Sequence, residues 1–190
     1  MEGVTFAHKM KDIGHPAEKA PRSSPKGLIR EGVTRSGWRV AMALVGWLGL
    51  CFAAGTIGSL AAPDAWYASI RKPSWNPPSW VFGPVWSVLY FSMAIAAWRV
   101  WRRGGWKDQG PALRWFCTQL ALNALWSPLF FGLKVPGWAL AEILVLWFAI
   151  WRTLQAFRPI DTLSAWLLWP YLAWVSFASV LNATLWWMNR

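Results

Sequence analysis

Along this chain apolar residues gather into long unbroken runs, and charged residues fall between them. Predominantly apolar segments cover 40–60, 80–101, 112–133, 137–156 and 163–188. Each is close to the ~20 residues an α-helix needs to cross ~30 Å of hydrocarbon. None alternates with the period of two that a membrane-spanning strand requires, and in lipid only helices and closed barrels satisfy every backbone hydrogen bond. The pattern predicts an all-α fold, an integral membrane bundle of five transmembrane helices. The fourth run is the least regular, because Arg152 interrupts it near its end.

Residues 1–36 lack this periodicity. They hold seven Lys/Arg, four Asp/Glu, three prolines and both histidines. A segment so poor in apolar residues cannot bury enough surface to fold, so a disordered basic tail is expected, separate from a five-helix domain over 37–190. The tail has no apolar core of a secretory signal, and its acids argue against a transit peptide. The longest connection, 61–79, carries Pro63, Pro73, Pro77 and Pro78. Prolines fix φ and remove donors, so a stiff, non-helical lid over one end of the bundle is expected. The other connections are short and force antiparallel neighbours.

Charge adds orientation. The net charge is +11, but the basic residues avoid the apolar blocks, as topology signals do, and form no continuous nucleic-acid footprint. Near the helix ends, ten Lys/Arg fall on the side of the amino terminus (Arg30, Arg35, Arg39, Arg99, Arg102, Arg103, Lys107, Arg114, Arg152, Arg158) and four on the other (Arg71, Lys72, Lys134, Arg190). A cytoplasmic amino terminus follows. The two cysteines, Cys51 and Cys117, lie in separate apolar runs and read as buried thiols, not as a disulfide or metal site.

Enzyme and metal constellations find no support. Both histidines are in the tail, so no intramembrane His is available for a catalytic triad, zinc or haem iron. Glu142 is the one acid well inside a predicted span, so no carboxylate pair exists for acid/base work. Glu142 itself reads equally as an interior functional group or as a structural carboxylate near a loop.

Tryptophan is the compositional outlier, 19 of 190 residues. An interfacial belt accounts for those flanking the apolar runs, including Trp38, Trp101, Trp106, Trp151, Trp186 and Trp187. The others recur at helical spacing: Trp86, Tyr90, Met93 and Ala97; Phe116, Gln119, Asn123, Trp126 and Phe130; Trp166, Pro170, Trp174, Ala178 and Asn182. Each stripe alone fits helix packing, with amides as interhelical glue. Together they fit an aromatic pocket with a few placed polar groups. Indole faces suit a large planar ligand such as a porphyrin, and Arg71 and Lys72 on the loop are placed either for its carboxylates or for lipid headgroups.

The residues then resemble a known family. Trp66-Tyr67, Lys72-Pro73, Trp75-Asn76-Pro77-Pro78 and Pro84-Val85-Trp86 followed by Leu89-Tyr90 are similar to the signature of the translocator protein (tryptophan-rich sensory protein, TspO/MBR) family. So are Gln119 to Asn123 with Trp126, Phe130-Phe131-Gly132, Gly137-Trp138-Ala139-Leu140, and Pro170 to Trp174 with Leu181-Asn182. The resemblance spans 40–188. It implies a five-helix bundle, commonly a homodimer, that binds protoporphyrin IX or haem without an obligatory cofactor. The implied pocket includes Trp86, Tyr90, Asn123, Trp138, Trp174 and Ala178, with Tyr67 and Pro73 from the lid. It implies porphyrin transport or stress-related sensing; the alternatives are light-dependent degradation of the bound porphyrin and a membrane scaffold with incidental binding. The cholesterol motif of animal relatives needs a Tyr late in the last helix, where this chain reads Ala183-Thr184-Leu185-Trp186-Trp187, so cholesterol is not implied.

Overall fold

The computed structural model describes residues 37–61 and 63–190. The tail predicted to be disordered over 1–36 lies outside the described residues. Among those described there is no strand; the elements are α1 (Gly37–Ser59), α2 (Ala65–Ser69), α3 (Phe82–Arg102), α4 (Gly105–Ser127), α5 (Pro136–Phe157) and α6 (Thr162–Met188). All but α2 are long, and they close into a ring. Helix α1 packs on α3, α3 on α6, α6 on α5, α5 on α4 and α4 back on α1, with α3 touching α4 across the middle.

Four of these helices, α1, α3, α5 and α6, are long and apolar enough to cross a membrane. Helix α4 is the less apolar one, and its position explains why. It contacts three neighbours and buries Gln119 and Asn123 in the interior, away from lipid, with Asn123 accepting a hydrogen bond from Tyr90 of α3. Elsewhere the bundle exposes large apolar side chains such as Met42, Val45, Phe91, Leu144, Phe148 and Val180, the surface expected of a protein solvated by acyl chains.

Local chemistry sets the ends of the elements. Asp64 caps α2 by accepting the Tyr67 N–H at 3.2 Å, the usual service of an Asp to orphan N–H groups. Between α3 and α4 the chain turns in two residues, and Gly105 begins α4 at φ 69, a left-handed conformation natural to glycine. At the far end of α4, Pro128 has no N–H to continue the ladder. The helix widens there into a π turn over Pro128–Gly132, closed by the Leu133 N–H donating to Pro128 O at 2.8 Å. That wide turn brings Phe130 and Phe131 edge to face, 4.9 Å apart, and stacks Phe130 on Trp126 at 5.1 Å. In α6 Pro170 opens a turn in mid-helix, and the Ser92 hydroxyl of α3 donates to Leu167 O there at 2.7 Å.

At the end of the bundle opposite the long loop, Asp161 fastens the end of α3 to the start of α6. It precedes α6, accepts from Arg99 of α3 at 2.7 Å and 3.1 Å, from Arg103 at 3.3 Å, and from Ser164. The Arg99 guanidinium, with help from Ser164 and Arg103, holds its carboxyl down at about 2, against the partial desolvation that opposes ionisation.

Candidate ligand cavity

The interior of the ring is not filled at the end that bears the long loop. A cavity of about 390 Å³ lies there, walled by α1, α3, α4, the π turn, α5 and α6 and covered by Pro63, Tyr67, Pro77 and Ser79 of the connection 60–81. Its wall among the described residues carries no charged side chain.

Two polar pairs fix the aromatic wall. The Tyr90 hydroxyl donates to Asn123 Oδ1 at 2.7 Å, joining α3 to α4. Trp126 Nε1–H donates to Asn182 Oδ1 at 3.1 Å, while Asn182 Nδ2–H donates to Pro136 O at 2.9 Å, joining α4, α5 and α6. Bound amides and hydroxyls keep the polar atoms satisfied and leave ring faces toward the space. Trp86 stacks on Tyr90, centroids 5.3 Å apart at 27°. Trp174 meets Phe82 edge-on at 5.9 Å and leans on Phe177 at 5.5 Å. Gly55 is what lets Tyr90 lie against α1, since a Cβ there would stand 2.5 Å from Tyr90 Cε2.

The lid is pinned at its ends. The Arg71 N–H donates to Asn189 Oδ1 at 2.8 Å and Asn189 Nδ2–H returns a bond to Arg71 O at 2.9 Å, a two-way clasp between the loop and the carboxyl end of α6. Lys134 pairs with Asp64 at 2.9 Å, which holds the exposed Asp64 carboxyl below its ordinary range, with the Tyr67 N–H adding to the effect. The Tyr67 hydroxyl donates to Asn76 Oδ1 at 3.1 Å, and its ring meets Phe131 at 5.2 Å. Partial burial pushes the Tyr67 phenol up, and the Asn76 bond works against that. Because the Asn189 clasp is exposed, Asn189→Ala is expected to speed amide hydrogen exchange across 66–76 severalfold while exchange in α3 and α5 stays unchanged.

Of the residues singled out in the sequence, Tyr67, Trp86, Tyr90, Asn123, Trp174 and Ala178 lie together on this wall; Pro73 does not. Trp138 does not either, which corrects the expectation for it. It is 74% exposed, while the next residue, Ala139, is fully buried, because one step along a helix turns a side chain by about 100°. Trp138 instead lines an open groove of about 590 Å³ with Trp186 and Arg190. Trp166 is displaced for a related reason. A strict recurrence of four drifts about 40° per step around a 3.6-residue helix, and three steps back from Ala178 leave Trp166 64% exposed. Arg71 and Lys72 stand outside the wall, with Lys72 Nζ donating to Ala68 O and Ile70 O, each at 3.0 Å, beneath the Tyr67 ring. Sequence spacing did not single out Gly55, Gly58, Phe82, Phe131 or Phe177 for the site, and all of them line it.

A bundle with lipid-type surfaces, an uncharged aromatic cavity and a loop laid over it defines a helical membrane protein built around an internal cavity. The model of the TspO/MBR family matches residues 47–188, and the chain belongs to that family. It is 45% identical over 135 residues to the tryptophan-rich sensory protein of Cereibacter sphaeroides, covering 71% of this chain and 84% of that protein. The translocator protein of Homo sapiens is 44% identical over 123 residues, 64% of this chain and 73% of the relative. The tryptophan-rich protein TspO of Chlorobaculum tepidum is 43% identical over 148 residues, 75% and 92%.

Proposed function

We propose that this membrane protein binds a flat tetrapyrrole, protoporphyrin IX or haem, in the cavity between Trp86 and Trp174, and serves in porphyrin transport or stress-related sensing. The observation that carries the reading is the cavity itself, an uncharged space with Trp86, Tyr90 and Trp174 on its wall beneath a lid. Flat π systems gain about 0.5 to 1.5 kcal/mol per aromatic contact beyond area burial. At about 390 Å³ the cavity is at the small end of the ~300 to 1000 Å³ typical of small-molecule sites. A macrocycle would fill it and press on the lid, whose polar ties to the bundle are an amide clasp and an exposed ion pair beside ring contacts of Trp66, Tyr67 and Trp75 with Phe130, Phe131 and Phe177. Arg71 and Lys72 then offer cations at the rim for the propionates, with Lys72 trading its two carbonyl partners for a carboxylate. The excess of Lys/Arg at the amino-terminal end supports a cytoplasmic amino terminus, with the lid on the opposite side.

Titration of purified protein into protoporphyrin IX tests the reading. A saturable red shift of the main absorption band is expected, weakened about tenfold in Trp86→Ala/Trp174→Ala. An unshifted band at saturating protein would overturn it. Bleaching of the shifted band under light, absent in Trp174→Phe, would favour degradation over carriage.

A further inference from the structure

Arg152 interrupts the apolar run of α5, and neither the cavity nor the Asp161 clamp uses it. Ionisable side chains on membrane-spanning helices usually face the bundle interior or pair with one another. Arg152 does neither. It is exposed on the outside of the bundle, and the ion pairs among the described residues are those of Arg99 and Arg103 with Asp161 and of Lys134 with Asp64. Its guanidinium instead lies over the Trp115 ring of α4, 5.4 Å from the centroid. An indole face holds a guanidinium by cation–π attraction and leaves the donor edges of the fork open.

Two features put this cation at headgroup depth. Arg152 lies five residues before the end of α5 at Phe157, about 8 Å by the rise of an α-helix. On α4, Lys107, Asp108, Gln109 and Arg114 precede Trp115, and no charged residue follows it before the helix ends at Ser127. Trp115 therefore marks the level at which α4 passes from polar to apolar surroundings. From that level toward the lid the outer face is apolar. Trp115 meets Phe148 edge-on at 6.4 Å, and Phe148 leans on Trp151 at 5.9 Å. Phe148 lies one turn from Arg152, with Leu144 and Val145 a further turn on, and these three are 49%, 55% and 55% exposed, so they extend the same face. The surrounding end of the bundle is basic: segments 37–41, 98–116 and 150–163 hold eight Lys/Arg against Asp108 and Asp161.

We propose that Arg152 and the Trp115 ring form a headgroup site on the outer face of α4 and α5 that selects an anionic phospholipid. The open guanidinium fork takes two oxygens of the phosphodiester at once, and an acyl chain lies along Phe148, Leu144 and Val145. A zwitterionic lipid supplies the same phosphate but brings an ammonium into a basic end, so a headgroup of net negative charge is preferred. The site is outside the cavity and stands whatever the cavity binds.

Native mass spectrometry of the full chain in detergent, titrated with dioleoyl phosphatidylglycerol or with dioleoyl phosphatidylcholine, tests the site. The first phosphatidylglycerol is expected to bind about tenfold more tightly than phosphatidylcholine, and Arg152→Gln is expected to abolish that preference. Arg152→Lys keeps the charge but not the fork, and should retain only part of it. Lys107→Gln removes the same charge from the same end, eight residues from Trp115 along α4, and should leave the preference intact. Inorganic phosphate in about hundredfold excess should not displace the lipid, since it has no chain to bury. Equal affinities for the two lipids, equal losses in Arg152→Gln and Lys107→Gln, or displacement by inorganic phosphate would each overturn the proposal. Circular dichroism checks that the variants fold; if Arg152→Gln does not, the wild-type preference, Arg152→Lys and the phosphate competition still decide.

Discussion

Replacing Gly55 with leucine is expected to weaken protoporphyrin IX binding by at least about tenfold while leaving the helix content intact. The reason is local. A Cβ at Gly55 would stand 2.5 Å from Tyr90 Cε2 and 3.0 Å from Cζ, inside the contact distance of two carbons. The tyrosine ring must therefore leave its place, and two features leave with it: the 2.7 Å bond to Asn123 and the stack on Trp86. Helix α1 should not suffer, because leucine is favoured over glycine in a helix interior by about 0.5 to 1 kcal/mol. The cost thus falls on the cavity and not on the fold. Gly55→Ala is expected to show the same effect in milder form. Gly46, whose Cβ would meet nothing within 4 Å, supplies the control: Gly46→Leu should bind as the wild type does. Loss of binding in both would trace the effect to α1 in general and not to the Tyr90 contact.

The second large effect concerns stability. Asp161→Asn is expected to lower unfolding stability by about 2 kcal/mol at neutral pH, because its carboxylate joins α3 to the start of α6. The two arginines do not count equally. Arg99 is 30% exposed and makes a 2.7 Å contact, whereas Arg103 is 59% exposed at 3.3 Å, so solvent screening leaves most of the effect with Arg99. The pH dependence has a definite sign. With the carboxyl held at about 2 in the folded protein against an ordinary 3.8, the stabilisation is fully present above about pH 4. It is lost as pH falls through about 2, and the difference amounts to about 2 kcal/mol. Melting followed by circular dichroism at a series of acid pH values checks this. The wild type should lose stability through that window more steeply than Asp161→Asn, which starts lower. Parallel curves for the two would contradict the clamp.

How much of this was legible in the sequence depended on distance along the chain. The long helices were readable because each is one apolar run, and Trp86, Tyr90, Phe116, Gln119 and Asn123 were placed inward by spacing within two or three turns. Spacing lost its hold over longer stretches, where a four-residue recurrence drifts off the 3.6-residue helix; Trp166 ended outside for that reason. Trp138 was expected inward from its place in a motif opening a helix, but a motif does not fix helical phase. Contacts between residues far apart in sequence left no local trace. The Asp161 clamp reaches back 58 and 62 residues to Arg103 and Arg99, and the Asn189 clasp spans 118. The π turn was hidden as well: Pro128 signals a broken ladder, but whether a helix ends or widens there is decided by the packing of Phe130 against Trp126 and Trp66. The role of Gly55 was invisible because the residue it accommodates lies 35 positions away on α3.

The central claim, that the cavity between Trp86 and Trp174 holds a flat tetrapyrrole, is tested most directly by quenching of tryptophan fluorescence with protoporphyrin IX in wild type and Gly55→Leu side by side. Saturable quenching with one ligand per chain is predicted for the wild type, with the curve of Gly55→Leu displaced to at least about tenfold higher ligand concentration. Unchanged emission at saturating porphyrin, or identical curves for the two proteins, would contradict the account.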